Sequence, residues 1–369
     1  MTDWPEKKLG FGLMRLPKNG DDIDIDATCR LVDEFLAAGF TYFDTAYVYQ
    51  GSEDAFRKCV AERHPRGSCT VATKMAGWKL SPDYTPADMF ADQLARCGVE
   101  YFDYYLLHSL QESRGTVYED NGCFDFCQKM KEEGKIRHFG FSFHGSPELL
   151  EKLLTDHPEV DFVQLQINYV DWENNAIWSG KNYEIAAAHG KKVIVMEPVK
   201  GGFLASLSPE TAAPFTAIHP DASPASWALR FAGSLPSVAV VLSGMNAPAQ
   251  MADNVATFSD FSPLTDEEQA AIAKVRENIL SVPTVPCTAC RYCTEGCPMG
   301  IFIPDVFKAY NMILTFGEHN RPHFYYSGQL ALGSGKASDC IQCGQCEAAC
   351  PQHIDIIEQL QKASAVLDV

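Results

Sequence analysis

The stretch FTYFDTAYVYQ, residues 40–50, changes character at Asp44. Up to Phe43 the aromatic and β-branched side chains read as a short buried strand. After Asp44 the pattern breaks, and Tyr49 follows five residues on in a loop. An aspartate before a turn is more often a cap than a catalyst, but the same arrangement returns twice. CTVATKM (69–75) ends its apolar run at Lys74, and YFDYYLLHS (101–109) ends at His108. Three consecutive strand candidates thus finish on titratable side chains. A parallel barrel gathers strand ends at one mouth, where these residues and Tyr49 would converge.

Outward from this segment the alternation continues. LGFGLMRL precedes it; IRHFGFSF, FVQLQIN, KVIVMEPV and VAVVLSG follow, making eight strand candidates between Leu9 and Gly244. The intervening stretches have helical periodicity. DATCRLVDEFLAAG puts Leu31, Phe35 and Leu36 on one face, with Gly39 as terminator. In SPELLEKLLTD, Ser146 stands as N-cap and Pro147 at the first helical position. Eight strands separated by helices are what a closed (β/α)8 barrel of the TIM type requires; an open doubly wound sheet has the same strand count and stays the alternative. No glycine-rich dinucleotide loop opens a helix.

The chain has 369 residues, 46% hydrophobic and 21% charged, which is ordinary globular composition with room for a second domain. A formal charge of −18 argues against nucleic acid and anionic membrane as partners. There is no apolar run long enough to span a bilayer, and MTDWPEKKLG lacks the apolar core of a signal peptide, so a cytoplasmic location is expected. After the helical TDEEQAAIAKVRENI, the proline-bearing SVPTVPC reads as a linker, dividing the chain into 1–281 and 282–369. Within the second part IPDVFKAYNMILTF and IDIIEQLQKASAVL read as helices, and the stretch between them, GEHNRPHFYYSGQLALGSGKASD, as irregular.

Eight of the 14 cysteines fall in two copies of one pattern, CTACRYCTEGCP (287–298) and CIQCGQCEAACP (340–351), each C-x2-C-x2-C-x3-C-P. Three cysteines two residues apart can wrap one iron–sulfur cube, while the fourth, before proline, heads toward the other. That assigns Cys287, Cys290, Cys293 and Cys350 to one [4Fe–4S] cluster and Cys297, Cys340, Cys343 and Cys346 to a second. Zinc, the rival metal, has no use for a third close cysteine or the trailing proline. Cys29, Cys59, Cys69, Cys97, Cys123 and Cys127 are scattered and read as reduced packing residues.

With Asp44, Tyr49, Lys74 and His108 in this order at strand ends, and with GKIRHFGFS and SGMNAPAQMADN further on, residues 8–258 resemble the aldo/keto reductase family. A subgroup of that family carries a C-terminal tail, and this tail resembles the α-helical dicluster ferredoxin domains fused to oxidoreductases. The resemblance implies interconversion of a carbonyl and an alcohol on a small-molecule substrate. Tyr49 would be the general acid, its pKa pulled down by Lys74; Asp44 would hold Lys74, and His108 would orient the carbonyl. It further implies a nicotinamide cofactor, NADH or NADPH, with Ser142 and Gln164 at the carboxamide, Asn254 at the adenine, and Ser243 and Gly244 in the last cofactor-binding segment.

Three family positions depart. Phe143 replaces the usual asparagine, Met196 an aromatic that stacks on the nicotinamide, and Ala247 the arginine that forks a 2′-phosphate. Trp78 and Tyr47, with Trp172 and Trp178, are candidates to line the substrate pocket, and His144 is a further candidate at the mouth. Clusters move electrons singly, whereas nicotinamide delivers a hydride in one step. Three arrangements reconcile them: structural or sensing clusters, a bridging flavin or flavoprotein partner, or direct reduction of a barrel-bound substrate by the clusters. No flavin motif is visible, and a ferredoxin or flavoprotein is the expected redox partner. The rival from another class is an electron-transfer or interaction subunit that uses the barrel as a scaffold.

Overall fold

All eight strand candidates form strands that close into one parallel barrel, so the open doubly wound sheet is excluded. In chain order they are β1 (Leu9–Gly12), β2 (Tyr42–Asp44), β3 (Thr70–Met75), β4 (Phe102–Leu110), β5 (Ile136–Phe143), β6 (Phe162–Gln166), β7 (Lys192–Met196) and β8 (Val238–Ser243). Each pairs with its neighbours in sequence, and β8 returns to β1 with Val241 opposite Leu9. The computed structural model describes residues 4–114, 116–174 and 177–368. LGFGLMRL is a strand only to Gly12, after which Leu13–Arg15 turns as a 3-10 helix.

Side chains alternate across each strand, and the inward set is a core of its own: Tyr42, Ala72, Tyr104, Leu106, Phe162, Ile194, Val240 and Leu242. Small residues make room for the large ones. A Cβ on Gly140 would lie 2.5 Å from the Phe162 carbonyl oxygen, and one on Gly10 2.7 Å from Val240. At the lower end, where the strands begin, Trp4 packs on Tyr104 (5.3 Å between ring centroids), His138 (4.8 Å) and Phe162 (5.8 Å). Outward residues such as Phe11, Phe43, Tyr105, Phe139 and Phe141 join the buried faces of the helices in a second core.

The helices start and stop where local chemistry dictates. Ile25–Ala37 is capped by the Asp24 carboxylate, which accepts from Ala27 N, and buries Leu31, Val32 and Phe35. Gly39 then turns the chain at φ +81°, in the left-handed region. Pro86–Cys97 begins on a reciprocal capping box between Thr85 and Asp88. Ser146 caps Pro147–Asp156 by accepting from Leu149 N, with Pro147 at the first position.

The chain divides into two compact units, Met1–Ala205 with Phe215–Ile272, and Ser206–Pro214 with Ala273–Val369. In the second, Ile303–Phe316 and Ile356–Leu367 are helices as expected. The stretch between them is not irregular throughout: Asn320–Ala331 forms a helix. Its periodicity is poor, but buried Pro322 and Tyr326 fasten it. The Tyr326 hydroxyl donates to Asp368 Oδ1 at 2.7 Å and accepts from Ala337 N at 2.7 Å. Tertiary contacts that no local pattern announces decide this element. Among the described residues no helix is long and apolar enough to cross a membrane.

Candidate active site

The inward alternation of β2 to β6 carries a polar tier immediately above the apolar barrel core. Tyr42 is followed two residues on by Asp44, Ala72 by Lys74, Leu106 by His108, Gly140 by Ser142 and Phe162 by Gln164. One period-two step converts the barrel from oil to chemistry at its C-terminal mouth. Lys74 and Asp44 are buried there, Lys74 at 0% exposure and Asp44 at 4%. Lys74 Nζ donates to Asp44 Oδ1 at 2.5 Å and to the Thr45 carbonyl at 2.7 Å. Gln164 Nε2 donates to Asp44 Oδ2 at 3.0 Å. Burial alone would lower the Lys74 pKa, but the charges of Asp44 and Tyr49 outweigh it and hold the ammonium above its ordinary value.

Tyr49 stands beside this pair, with Lys74 Nζ 5.0 Å from its ring centroid, and meets His108 edge to face at 5.8 Å. The sequence suggested a phenol pulled down by Lys74. In the structure burial pushes it up more than Lys74 draws it down, and Asp44 adds to the rise, so Tyr49 holds its proton more tightly than a free tyrosine. His108 is driven the other way. Burial, then the charges of Lys74 and Arg114, press its pKa well below the usual value and keep the imidazole neutral at neutral pH. Its Nδ1 is buried and bonds no described residue.

The strand after His108 is bulged between Leu107 and Leu110, with Ser109 left-handed at φ +58°. Ser142 Oγ accepts from Ser109 N at 2.7 Å and secures the bulge. The Ser142 hydroxyl proton and the Gln164 carbonyl oxygen bond no described residue, leaving one donor and one acceptor side by side on neighbouring strands. On the far side of the mouth Asn254 Nδ2 donates to Ser243 Oγ at 2.8 Å, and Gly244 is exposed beside them. The helix Pro248–Ser259 that carries Asn254 opens at Ala247 without a side-chain cap; Pro248 has no N–H and Gln250 and Met251 donate to the Ala247 carbonyl at 3.1 Å, which leaves the Ala249 N–H to meet an anion.

Of the aromatic candidates, Trp78 reaches the site, 5.5 Å from His108. Tyr47 does not join it: Arg96 lies over its ring at 4.4 Å and its hydroxyl bonds that of Tyr84 at 3.2 Å, holding it in the outer layer. Trp172 packs against Tyr183 and Phe231, and Trp178 takes a left-handed turn at the start of Ser179–Ala188. His144 is exposed at the end of β5.

Three groups escaped sequence reasoning. Behind β3, buried Glu53 Oε1 accepts from Thr73 Oγ1 (2.7 Å) and Gln93 Nε2 (2.8 Å), and Gln93 Oε1 accepts from the Tyr105 hydroxyl (2.6 Å). Gln93 also donates to the Lys74 carbonyl at 3.1 Å and so fixes the backbone that aims Lys74. Its signal was a polar residue at a core phase of a helix, beside Met89, Phe90 and Cys97. The second is Asp171, fully buried, which accepts from Lys200 Nζ at 2.6 and 2.8 Å and from Asn168 at 2.8 Å. The third is Arg114, stacked 3.4 Å from the Trp78 ring.

In the second unit the cysteines line two hollows. One is lined by Cys287, Cys290, Cys293 and Cys350, the other by Cys297, Cys340, Cys343 and Cys346. These are the crosswise sets that the spacing suggested, and Ile303 lines both hollows. The two motifs wind alike. Ala289 and Arg291 in the first, and Gln342 and Gly344 in the second, take left-handed backbone at matching positions. No three of His, Cys, Asp or Glu among the described residues gather tightly enough for a single metal ion. The hollows suit a larger, thiolate-held group.

Residues 8–277 match the model of the aldo/keto reductase family, and residues 286–354 match that of the 4Fe-4S dicluster domain. An aldo-keto reductase of Mycolicibacterium vanbaalenii is 30% identical over 246 residues, covering 64% of this chain and 79% of its own. L-galactose dehydrogenase of Arabidopsis thaliana is 24% identical over 281 residues, 71% of this chain and 87% of its own. Among solved structures, the aldo-keto reductase AKR11C1 of Bacillus halodurans in its holo form superposes with a TM-score of 0.58 at 25% identity, over 74% of this chain and 94% of that one. An aldo-keto reductase of Klebsiella pneumoniae in complex with NADPH gives 0.60 at 19% identity, over 73% and 90%. The first family model spans well over half of the sequence, and the chain is accordingly a member of the aldo/keto reductase family, an oxidoreductase with a 4Fe-4S dicluster domain at its C-terminal side.

Proposed function

We propose that the barrel, residues 1–281, interconverts a carbonyl and an alcohol with Tyr49 as proton donor and acceptor. The observation that carries this reading is the buried Asp44–Lys74 pair beside Tyr49, with His108 edge-on to the phenol. Reduction of a carbonyl leaves negative charge on oxygen, which needs donors already in place. Tyr49 gives the proton, and its raised pKa keeps that proton available at neutral pH. His108, neutral for the reason given above, donates a second hydrogen bond and orients the carbonyl. Lys74 steadies the phenolate that remains, and Asp44, with Gln164 behind it, keeps the ammonium in place.

Nicotinamide, when bound, supplies the hydride. The residues present fit it. A carboxamide offers donors to the Gln164 carbonyl and an acceptor to the Ser142 hydroxyl, while Ser243, Gly244 and Asn254 would hold the distal half near the open helix start at Ala247. Without an arginine at Ala247 there is no fork for a 2′-phosphate, so NADH is the favoured form. In residues 282–369 we assign one [4Fe–4S] cluster to Cys287, Cys290, Cys293 and Cys350, and the other to Cys297, Cys340, Cys343 and Cys346. The hollows support this pairing. The clusters exchange single electrons with a ferredoxin or flavoprotein partner. Met196, where family members stack an aromatic ring on the nicotinamide, favours a second reading in which the barrel draws its electrons through such a partner.

Purified anaerobically, the full chain is assayed for carbonyl-dependent NADH oxidation alongside Tyr49→Phe. The expected result is loss of turnover in the variant with unchanged iron and sulfide content. An unchanged rate would remove the tetrad from the reaction.

A further inference from the structure

Three cations around the barrel mouth are matched with carboxylates. Lys74 pairs with Asp44 at 2.5 Å, Lys200 with Asp171 at 2.6 Å, and Arg15 with Glu197 at 3.8 Å. Arg114 pairs with no carboxylate among the described residues. Its Nη1 donates to the backbone carbonyls of Ser109 (3.3 Å) and His108 (3.5 Å), while Nε and Nη2 bond no described residue. The guanidinium lies flat on Trp78, 3.4 Å from the ring centroid, and Trp78 in turn is 5.5 Å from His108.

The guanidinium is half-buried, and burial lowers its pKa. Its charge also presses on His108 in the same direction as Lys74. In a chain of net charge −18, a carboxylate partner would be simple to provide from the protein. A planar fork laid on an aromatic shelf is instead the arrangement that receives a planar anion from outside.

We propose that Arg114 anchors a carboxylate on the substrate, making the barrel selective for carbonyl compounds that also carry a carboxylate group. The inference rests on the carbonyl chemistry proposed above and names its substrate class. The carbonyl lies between Tyr49 and His108, the body of the substrate lies against Trp78, and the carboxylate meets Nε and Nη2. Arg114 is thus a specificity-determining residue. It takes no part in proton transfer and acts by holding the far end of the molecule, so that the near end is correctly placed.

The test compares 4-carboxybenzaldehyde with its uncharged methyl ester on the anaerobically purified full chain, as wild type, Arg114→Gln and Arg114→Lys. The readout is the ratio of kcat/KM for acid over ester, which cancels any general damage to the barrel. The wild type is expected to favour the acid about 10- to 100-fold, the glutamine variant to lose that preference, and the lysine variant to keep part of it. A ratio near one in the wild type, or one that Arg114→Gln leaves unchanged, overturns the proposal. Calorimetric binding of the same two compounds separates this failure from that of the proposed reaction. Discrimination in binding without turnover sinks the carbonyl chemistry and leaves the anchor; turnover without discrimination sinks the anchor.

Discussion

Gln164 and Asp44, 120 positions apart in sequence, meet through a 3.0 Å hydrogen bond from the amide to Oδ2. Lys74 donates to the other carboxylate oxygen, so each oxygen of the buried Asp44 has a protein donor. Gln164→Leu strands Oδ2. The expected loss is about 1–3 kcal/mol of barrel stability by urea denaturation, because a buried acceptor left unmade costs its full desolvation. The same variant should raise KM for NADH, since the carbonyl assigned to the carboxamide goes with it.

The opposed shifts of Tyr49 and His108 set a pH profile. Tyr49 titrates above its ordinary value of 10.0, so carbonyl reduction, which needs the phenol, should hold its plateau through neutral pH and fall only in strong alkali. Alcohol oxidation needs the phenolate and should rise over that same range. His108 titrates below its ordinary 6.5, so no break from the imidazole is expected between pH 7 and 8. Below about pH 6.5 the unfolded chain binds this proton more readily than the folded one, and stability should decline as pH drops. Steady-state rates in both directions from neutral pH into strong alkali, and urea midpoints from pH 5 to 8, check these signs.

Cys297 lies in the first motif but lines the hollow of the second. Cys297→Ala is therefore expected to damage the cluster assigned to Cys340, Cys343 and Cys346, and to spare the one assigned to Cys287, Cys290, Cys293 and Cys350. Cys350→Ala should do the reverse. Selective alanine replacement of Cys290 and Cys343 identifies which electron paramagnetic resonance signal belongs to which set, and iron content completes the comparison.

Gly140→Ala tests the packing of the barrel interior. The added methyl would sit 2.5 Å from a backbone oxygen of β6, an atom with no rotamer to escape into. The expected cost is about 1–3 kcal/mol in urea denaturation. Gly190→Ala, where nothing lies within 4 Å but φ is +67°, controls for backbone strain alone.

The strand ends that bear Asp44, Lys74 and His108 were legible because a period of two fixes which residues point inward, and the cysteine sets because their spacing is rigid. What sequence could not supply was the balance of forces at a point. Tyr49 has a cation beside it, which suggested an acidic phenol, yet desolvation by residues from distant strands is the larger influence. The role of Gln164 as a brace for Asp44, the Glu53–Gln93–Tyr105 web and the unmatched Arg114 all depend on side chains brought together by closure of the barrel. The helix Asn320–Ala331 was missed because what fastens it, Asp368, lies 42 positions beyond Tyr326.

Trp4 has a consequence for traffic. By packing on Tyr104, His138 and Phe162 it covers the lower end of the barrel, beneath an interior that side chains already fill. Traffic to the polar tier of Asp44, Lys74 and His108 therefore runs through the mouth.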